Sequence, residues 1–514
     1  MTLLATLVST SQRVGATSAR RAKVGELADM LRALDPGEIE IAVQYLSGDT
    51  PQGKIGISYA LLKAAMEVTP AAASSLTITE VDRRLGEIAL IRGSGSAALR
   101  KTALNELFAL ATQQEQEFLL RLVVGELRQG ALAGVMVDAI AAAAALPVAA
   151  VRRAAMYAPN LGEVARVGMR EGVDALARFQ LALFSPVAPM LAQTAADAAE
   201  AFEQLEGEIA FEWKMDGARV QVHKAGDEVH IYTRTLNDVT AAVPEIVETV
   251  RALPARELIL DGEAIAFTAT GRPHPFQITM RRFGRRLRVE EMRQTLPIRG
   301  YFFDCLRLES DSLIDQSTQK RFEALARAVP EELRVPRLVT ASVADADAFY
   351  AAALAAGHEG LMAKSLSAPY EAGNRGASWL KIKKAHTLDL VVLAAEWGHG
   401  RRTGKLSNLH LGALDPATGE YVMLGKTFKG LTDVMLEWQT REFLARETHR
   451  DNYTVYVRPE LVVEIAFSDL QVSPRYPGGL ALRLARVKRY RDDKRAENAD
   501  TMESVRAIAA AAAG

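Results

Sequence analysis

Lys214-Met215-Asp216-Gly217-Ala218-Arg219 is the segment whose residue types and order could do chemistry. Ile209 to Trp213 alternates apolar and polar residues as a strand does, Asp216-Gly217 makes a tight turn, and Arg219 opens the next alternating run. A lysine at a strand end beside such a turn can face a cleft, and its amine is a nucleophile once neutral. With an ordinary pKa of about 10.4, it needs surroundings that depress that value. Taken alone, the six residues fit a strand-edge lysine beside a surface turn equally well.

Other candidate motifs fail on inspection. Gly48 to Lys54 resembles the start of a P-loop, but Ile55 stands where a hydroxyl should hold Mg2+, and no apolar strand precedes it. His358-Glu359 lacks the second histidine of a zinc-protease helix, because Met362 occupies that position. The single cysteine, Cys305, excludes an internal disulfide and a paired-cysteine zinc module, and the eight histidines give no ligand cluster.

The elements that must position Lys214 can be read from changes along the chain. A length of 514 residues, with 49% hydrophobic and 24% charged, predicts a globular protein of several domains. Residues 1–190 read as helical: Leu119, Leu120, Leu122, Val123, Val124 and Leu127 share a face, and Ala139 to Ala145 favours helix. Pro186 and Pro189 mark a link. Residues 191–385 mix strands with helices: Ile209 to Lys214, Arg219 to His223, a turn at Gly226-Asp227, Val229 to Thr233, the short runs Leu258 to Leu260 and Tyr301 to Phe303, and a helix over Lys320 to Val329. Residues 386–514 return to strands, clearest at Leu388 to Leu393 and Leu461 to Ile465, and fit a small β-barrel closed by an Ala-rich tail, Val505 to Ala513. The expected class is multi-domain α+β.

No membrane-length apolar run occurs, and no basic stretch precedes Leu3 to Val8, so neither a span nor a secretion signal is expected and the protein is placed in the cytoplasm. A net charge of −1 argues against a dedicated nucleic-acid binder, whereas basic runs at Arg281 to Arg288, Lys381 to Lys384, Arg401-Arg402 and Lys488 to Arg495 argue the other way.

Further segments follow Lys214 in a fixed order: Thr233-Arg234; Leu260-Asp261-Gly262-Glu263 and then Phe303-Asp304; Glu359-Gly360-Leu361-Met362-Ala363-Lys364; Arg375 and then Trp379-Leu380-Lys381-Ile382-Lys383; and Arg491-Asp492-Asp493-Lys494. With Glu212 two residues before the lysine, this series resembles the covalent nucleotidyltransferase superfamily, and within it the ATP-dependent DNA ligases. Pro186 to Ala192 is similar to that family's lead-in to the catalytic domain, and Ala485 departs from it where a proline is expected. The resemblance spans nearly the whole chain. It implies a helical DNA-binding domain (1–190), a nucleotidyltransferase domain (191–385) and an OB-fold (386–514).

That resemblance also implies roles. Lys214 takes AMP from ATP as a lysyl phosphoramidate. Glu212 helps read adenine, Arg219 and Glu263 hold the ribose, and Phe303 stacks on the base. Glu359 and Glu263 are oxygen ligands suited to Mg2+. Lys381 and Lys383 neutralise the α-phosphate, Arg234 and Arg375 contact phosphates, and Arg491 and Lys494 orient pyrophosphate once the barrel closes. The partner is nicked duplex DNA, in replication, repair or recombination, bound through its backbone by a monomer. Pro275-Phe276-Gln277 and the following arginines are expected at DNA or a domain interface. The Ala- and Arg-rich composition points to a GC-rich bacterial genome, and the chain resembles the accessory ATP-dependent ligases of such bacteria. An NAD-dependent ligase carries the zinc module that one cysteine excludes. A capping guanylyltransferase or RNA ligase leaves the long helical region unexplained. A nick-binding protein with a dead site is at odds with the intact motifs.

Overall fold

The computed structural model describes the chain except residues 54, 128, 131–132, 159, 284–287, 374–375, 384–385 and 514, and leaves out the side chains of 401 and 511–513. Helices run from Leu4–Ala16 to Leu161–Glu171 without an intervening strand among the described residues. One apolar cluster from Leu4 to Leu176 joins them. Helix Gln113–Val124 begins with a capping box, in which Thr112 and Glu115 satisfy each other's backbone, and stops at Gly125 in the left-handed conformation. Leu127 is therefore buried beyond the helix rather than on its face, and Val124 is exposed.

Two antiparallel sheets follow, and they build the walls of a cleft. The first has the order Gln193–Ala195, Trp379–Lys383, Gly360–Ser365, Ile209–Lys214, Arg337–Thr340. Within it the short strand Gln193–Ala195 pairs in parallel with Trp379–Lys383. The second has the order Glu228–Thr233, Ala218–Ala225, Glu257–Ala266, Ile298–Leu308, Asp311–Ser312. The runs read as short around Leu260 and Phe302 are long strands. Their interruptions, Asp261-Gly262-Glu263 and Asp304, are polar residues within the sheet, which an apolar-run criterion misses. Asp304 is fully buried and paired with buried Arg321 at 2.8 Å. Leu181, Val187 and Met190 pack with Ile259, Leu306, Tyr370 and Trp379, so the Pro186 segment lies against these sheets.

Part of the basic run turns inward. Arg282, on helix Phe276–Phe283, is buried, pairs with Glu245 at 2.8 Å and donates to the Leu296 carbonyl at 2.7 Å. It is a structural cation rather than a surface one. Gly284 to Leu287, including Arg285 and Arg286, lie outside the described residues.

The last region is strand-rich. His386–Trp397 pairs along one edge with Leu406–Asp415, and along the other first with Val462–Phe467 and then with Thr454–Val457. One long strand thereby serves two partners on the same side, and the sheet curls. Leu388, Leu390 and Val392 point into the core, while Asp389 and Val391 face the other way. Ala485 is buried, and its carbonyl accepts from Thr427 at 2.6 Å. Helix Met502–Ala513 closes the chain.

Candidate active site

Strand register brings the charged residues together. Lys214 pairs with Gly360, which pairs with Lys383, so both lysines flank one glycine in a single row. Two residues along, Glu212, Met362 and Lys381 form the next row on the same face. Gly360 has φ +143°, and a Cβ there would meet the Ile382 carbonyl at 2.2 Å. Glycine is required at this crossing, and the residue before it, Glu359, is turned onto the lysines. Glu359 Oε2 pairs with Lys214 Nζ and lies 3.7 Å from Lys383 Nζ. Its backbone N–H donates to the Lys214 carbonyl at 2.9 Å.

The Asp216-Gly217 turn carries the chain to the second sheet. A Cβ on Gly217 would meet the Ala264 carbonyl at 2.5 Å, so the turn passes directly over that strand. There Arg219 pairs with Glu263 and Gln221 with Asp261. The Arg219 guanidinium is held by Asp261 through both oxygens, at 3.0 and 2.5 Å, and donates to the Met190 carbonyl at 2.6 Å. Buried Tyr370 donates to Asp261 at 2.7 Å.

At the back of the cleft, Glu212 is an anchored acceptor. Arg337 Nε and Nη2 reach its Oε1 at 2.8 and 2.5 Å, and Lys364 Nζ lies 2.5 Å from Oε2. The Lys364 ammonium sits 4.5 Å from the Phe303 ring centroid and 4.2 Å from that of Trp379. Burial lowers the Lys364 pKa against the pull of Glu212.

Electrostatics differ among the acids. Burial pushes the Glu263 carboxyl up to about 8 despite Lys214 and Arg219 nearby. Burial also acts to raise Glu359, but Lys214 and Lys383 outweigh it and hold its carboxyl below the ordinary range. Asp216 is raised, by burial first and by Glu359 next.

Lys214, Glu212, Arg219, Arg234, Glu263, Phe303, Glu359, Lys381 and Lys383 line one cleft of about 1270 Å³. Arg234 is exposed at its rim. Arg375 lies outside the described residues. Arg491 and Lys494 are not among the lining residues, and both pair with Asp389 on strand His386–Trp397. The strand-rich region instead contributes Arg483, whose Nη1 lies 3.6 Å from Asp216 and whose guanidinium sits over the Phe276 ring at 5.0 Å. The sequence reading assigned no role to Arg483, Arg337 or Lys364. Strand alternation alone puts Lys364 on the face of Gly360 and Met362. Arg337 belongs to a strand paired with a distant one, and Arg483, on a local hairpin, meets Asp216 far back in the chain, so neither contact leaves a local signal.

Residues 189–383 match the family described as ATP dependent DNA ligase domain, residues 402–494 the ATP dependent DNA ligase C terminal region, and residues 57–141 the DNA ligase N terminus. The chain belongs to the ATP-dependent DNA ligase family. A probable DNA ligase of Anaeromyxobacter dehalogenans (strain 2CP-C) is 57% identical over 509 residues, covering 98% of this ligase and 99% of the relative. A probable DNA ligase of Sorangium cellulosum (strain So ce56) is 54% identical over 511 residues, 99% and 96% of the two chains. The solved chain named Pmar-Lig_PreS3 shares the fold at TM-score 0.62 and 18% identity, over 94% of this ligase and 99% of that chain. Among the described residues, no helix of the ligase is long and apolar enough to cross a membrane.

Proposed function

We propose that this enzyme seals nicks in duplex DNA through lysyl-AMP and DNA-adenylate intermediates, with Lys214 as the nucleophile. The observation that carries the reading is the Lys214–Glu359 pair in the same cleft as the Glu212–Lys364 pair, one row along the sheet. Glu212 accepts and Lys364 donates. Adenine offers the complementary pair, an N6 amino donor beside the N1 acceptor, whereas guanine reverses both. Phe303 and Trp379 supply apolar faces for the base.

In the first step the neutral Lys214 amine attacks the α-phosphorus of ATP. A P–N bond forms, the bond to the β-phosphate bridging oxygen breaks, pyrophosphate leaves with that electron pair, and the amine nitrogen gives up one proton to solvent. Lys381 and Lys383 sit across the row from Glu212 and Lys214, where they neutralise α-phosphate charge. Arg219 and Glu263 face the ribose. AMP then passes to the 5′-phosphate of the nick, and the 3′-hydroxyl displaces it. Arg234 and Arg375 take phosphates. Arg491 and Lys494 serve pyrophosphate, which requires the C-terminal barrel to turn its other face to the cleft.

The donor set fits Mg2+. Among the described residues no three His, Cys, Asp or Glu side chains form a cage. Mg2+ prefers one or two carboxylates completed by substrate phosphates; Glu359, held ionised by two lysines, would supply one, and Glu263 a second on losing its proton in favour of the cation. When bound, Mg2+ neutralises phosphate charge. A monomer of three domains divided near 190 and 385, the last an OB-fold, acting in the cytoplasm on DNA in replication, repair or recombination, completes the reading.

The test uses ATP radiolabelled at the α-phosphate. Wild type becomes covalently labelled with Mg2+ present, and Lys214→Ala does not but still seals pre-adenylated nicked DNA. Absence of a wild-type adduct defeats the reading.

A further inference from the structure

Asp389 occupies a strand position whose alternation points it away from the barrel core, where an acid would normally be solvated. Yet it is buried, because the segment after Arg486–Tyr490 folds over it. Its backbone is fixed from both sides: Asp389 N–H donates to Asp500 at 2.7 Å, and the Asp500 N–H donates to the Asp389 carbonyl at 2.8 Å. One oxygen, Oδ2, receives Arg491 Nη1 at 2.7 Å and Lys494 Nζ at 2.5 Å. The same Arg491 gives Nε and Nη2 to Asp493 at 2.8 and 2.6 Å. A guanidinium has five N–H groups, so three are committed and two, one on Nη1 and one on Nη2, are left over for an anion.

We propose that Asp389 is a positioning residue for nucleotide transfer to Lys214: it sets the spacing and direction of Arg491 and Lys494, so that the barrel delivers a pre-formed cation pair to the departing pyrophosphate. This rests on the reading that these two cations act in that step. Arg and Lys side chains carry large rotamer freedom, and fixing them in advance removes an entropic cost from the moment of reaction. Because Asp389 belongs to the same unit as its partners, the arrangement travels with the barrel. Its strand starts three residues after Lys383 leaves the cleft. The pair is therefore indexed to the start of the barrel, near the catalytic lysines along the chain.

The experiment measures two rates in the full-length enzyme, labelled adduct formation and sealing of pre-adenylated nicked DNA, for Asp389→Asn, Asp389→Glu, Arg491→Ala with Lys494→Ala, and the combination with Asp389→Asn. Asp389→Asn is expected to slow adduct formation at saturating ATP by about tenfold more than sealing. Asp389→Glu, which keeps the charge but displaces the oxygens, is expected to slow it as well. Adding Asp389→Asn to the Arg491/Lys494 double variant is expected to change adduct formation no further. Equal slowing of both steps, an additive effect in the combination, or a wild-type rate for Asp389→Glu overturns the proposal. If the Arg491/Lys494 variant itself forms adduct at the wild-type rate, the underlying assignment of that pair falls, and the proposal with it.

Discussion

Lys214 and Glu359 hold each other twice: the ammonium pairs with the carboxylate, and the Glu359 backbone N–H donates to the Lys214 carbonyl. The acid is therefore placed by the strand edge itself and needs no ligand to bring it to the lysine. It also stands between Lys214 and Lys383, so whatever replaces it leaves two ammonium groups facing one another.

Glu359→Gln tests that position. Adduct formation should fall by on the order of 10²-fold, because charge stabilisation at the reacting phosphate is lost. The Mg2+ concentration giving half-maximal rate should rise. An unchanged Mg2+ dependence would remove Glu359 from the cation site.

Glu263 predicts a pH dependence of stability. Its carboxyl is raised from 4.5 to about 8 in the fold, so between those values the unfolded chain has lost a proton that the native state keeps. Stability should fall as pH rises through this window, by up to about 1.4 kcal/mol per pH unit from this group. Urea unfolding of wild type and Glu263→Gln across the window reads the difference, which should shrink below the ordinary value and level off above the raised one. Parallel curves would show that Glu263 ionises normally.

Glu212 carries two buried partners. Glu212→Gln leaves Arg337 and Lys364 without their counter-charge and should destabilise the protein by about 3–5 kcal/mol. Adding Lys364→Met should recover part of that loss. In the wild type, adduct formation should favour ATP over GTP by more than about 100-fold, since guanine would leave both polar groups mismatched. Comparable labelling by the two nucleotides would refute the edge-reading role.

Arg234 is exposed at the cleft rim. If it contacts a DNA phosphate, Arg234→Ala should weaken nick binding and reduce the slope of log affinity against log salt by about one. Fluorescence titrations at several salt concentrations decide it. An identical slope would assign Arg234 to the nucleotide alone.

Local order in the sequence carried most of the candidate cleft. Lys214, Glu212, Lys381 and Lys383 sit on strands whose alternation is visible, and register does the rest. Helix ends were less legible, as Leu127 shows, because one left-handed glycine outweighs an apolar pattern that continues past it. Charge runs misled at Arg282, where the counter-charge that accompanies burial, Glu245, lies 37 residues back in sequence, a distance no local pattern encodes. Arg483 and Arg491 show the same limit from the other side. Both lie near the chain's end, yet of the two only Arg483 lines the cleft, because which face of the strand-rich region meets the two sheets is set by contacts between distant segments.

Cys305 is the chain's single thiol, fully buried on strand Ile298–Leu308, and burial pushes its pKa up to about 12. Maleimide reagents need an accessible thiolate, so the native protein should stay unmodified without any engineering. Two cysteines introduced at exposed sites, one beside Arg234 and one on the strand-rich region, would then be the sole attachment points for a fluorophore pair. The proposed rearrangement of Arg491 toward the nucleotide could be followed in real time by energy transfer, in a protein whose own chemistry contributes no background.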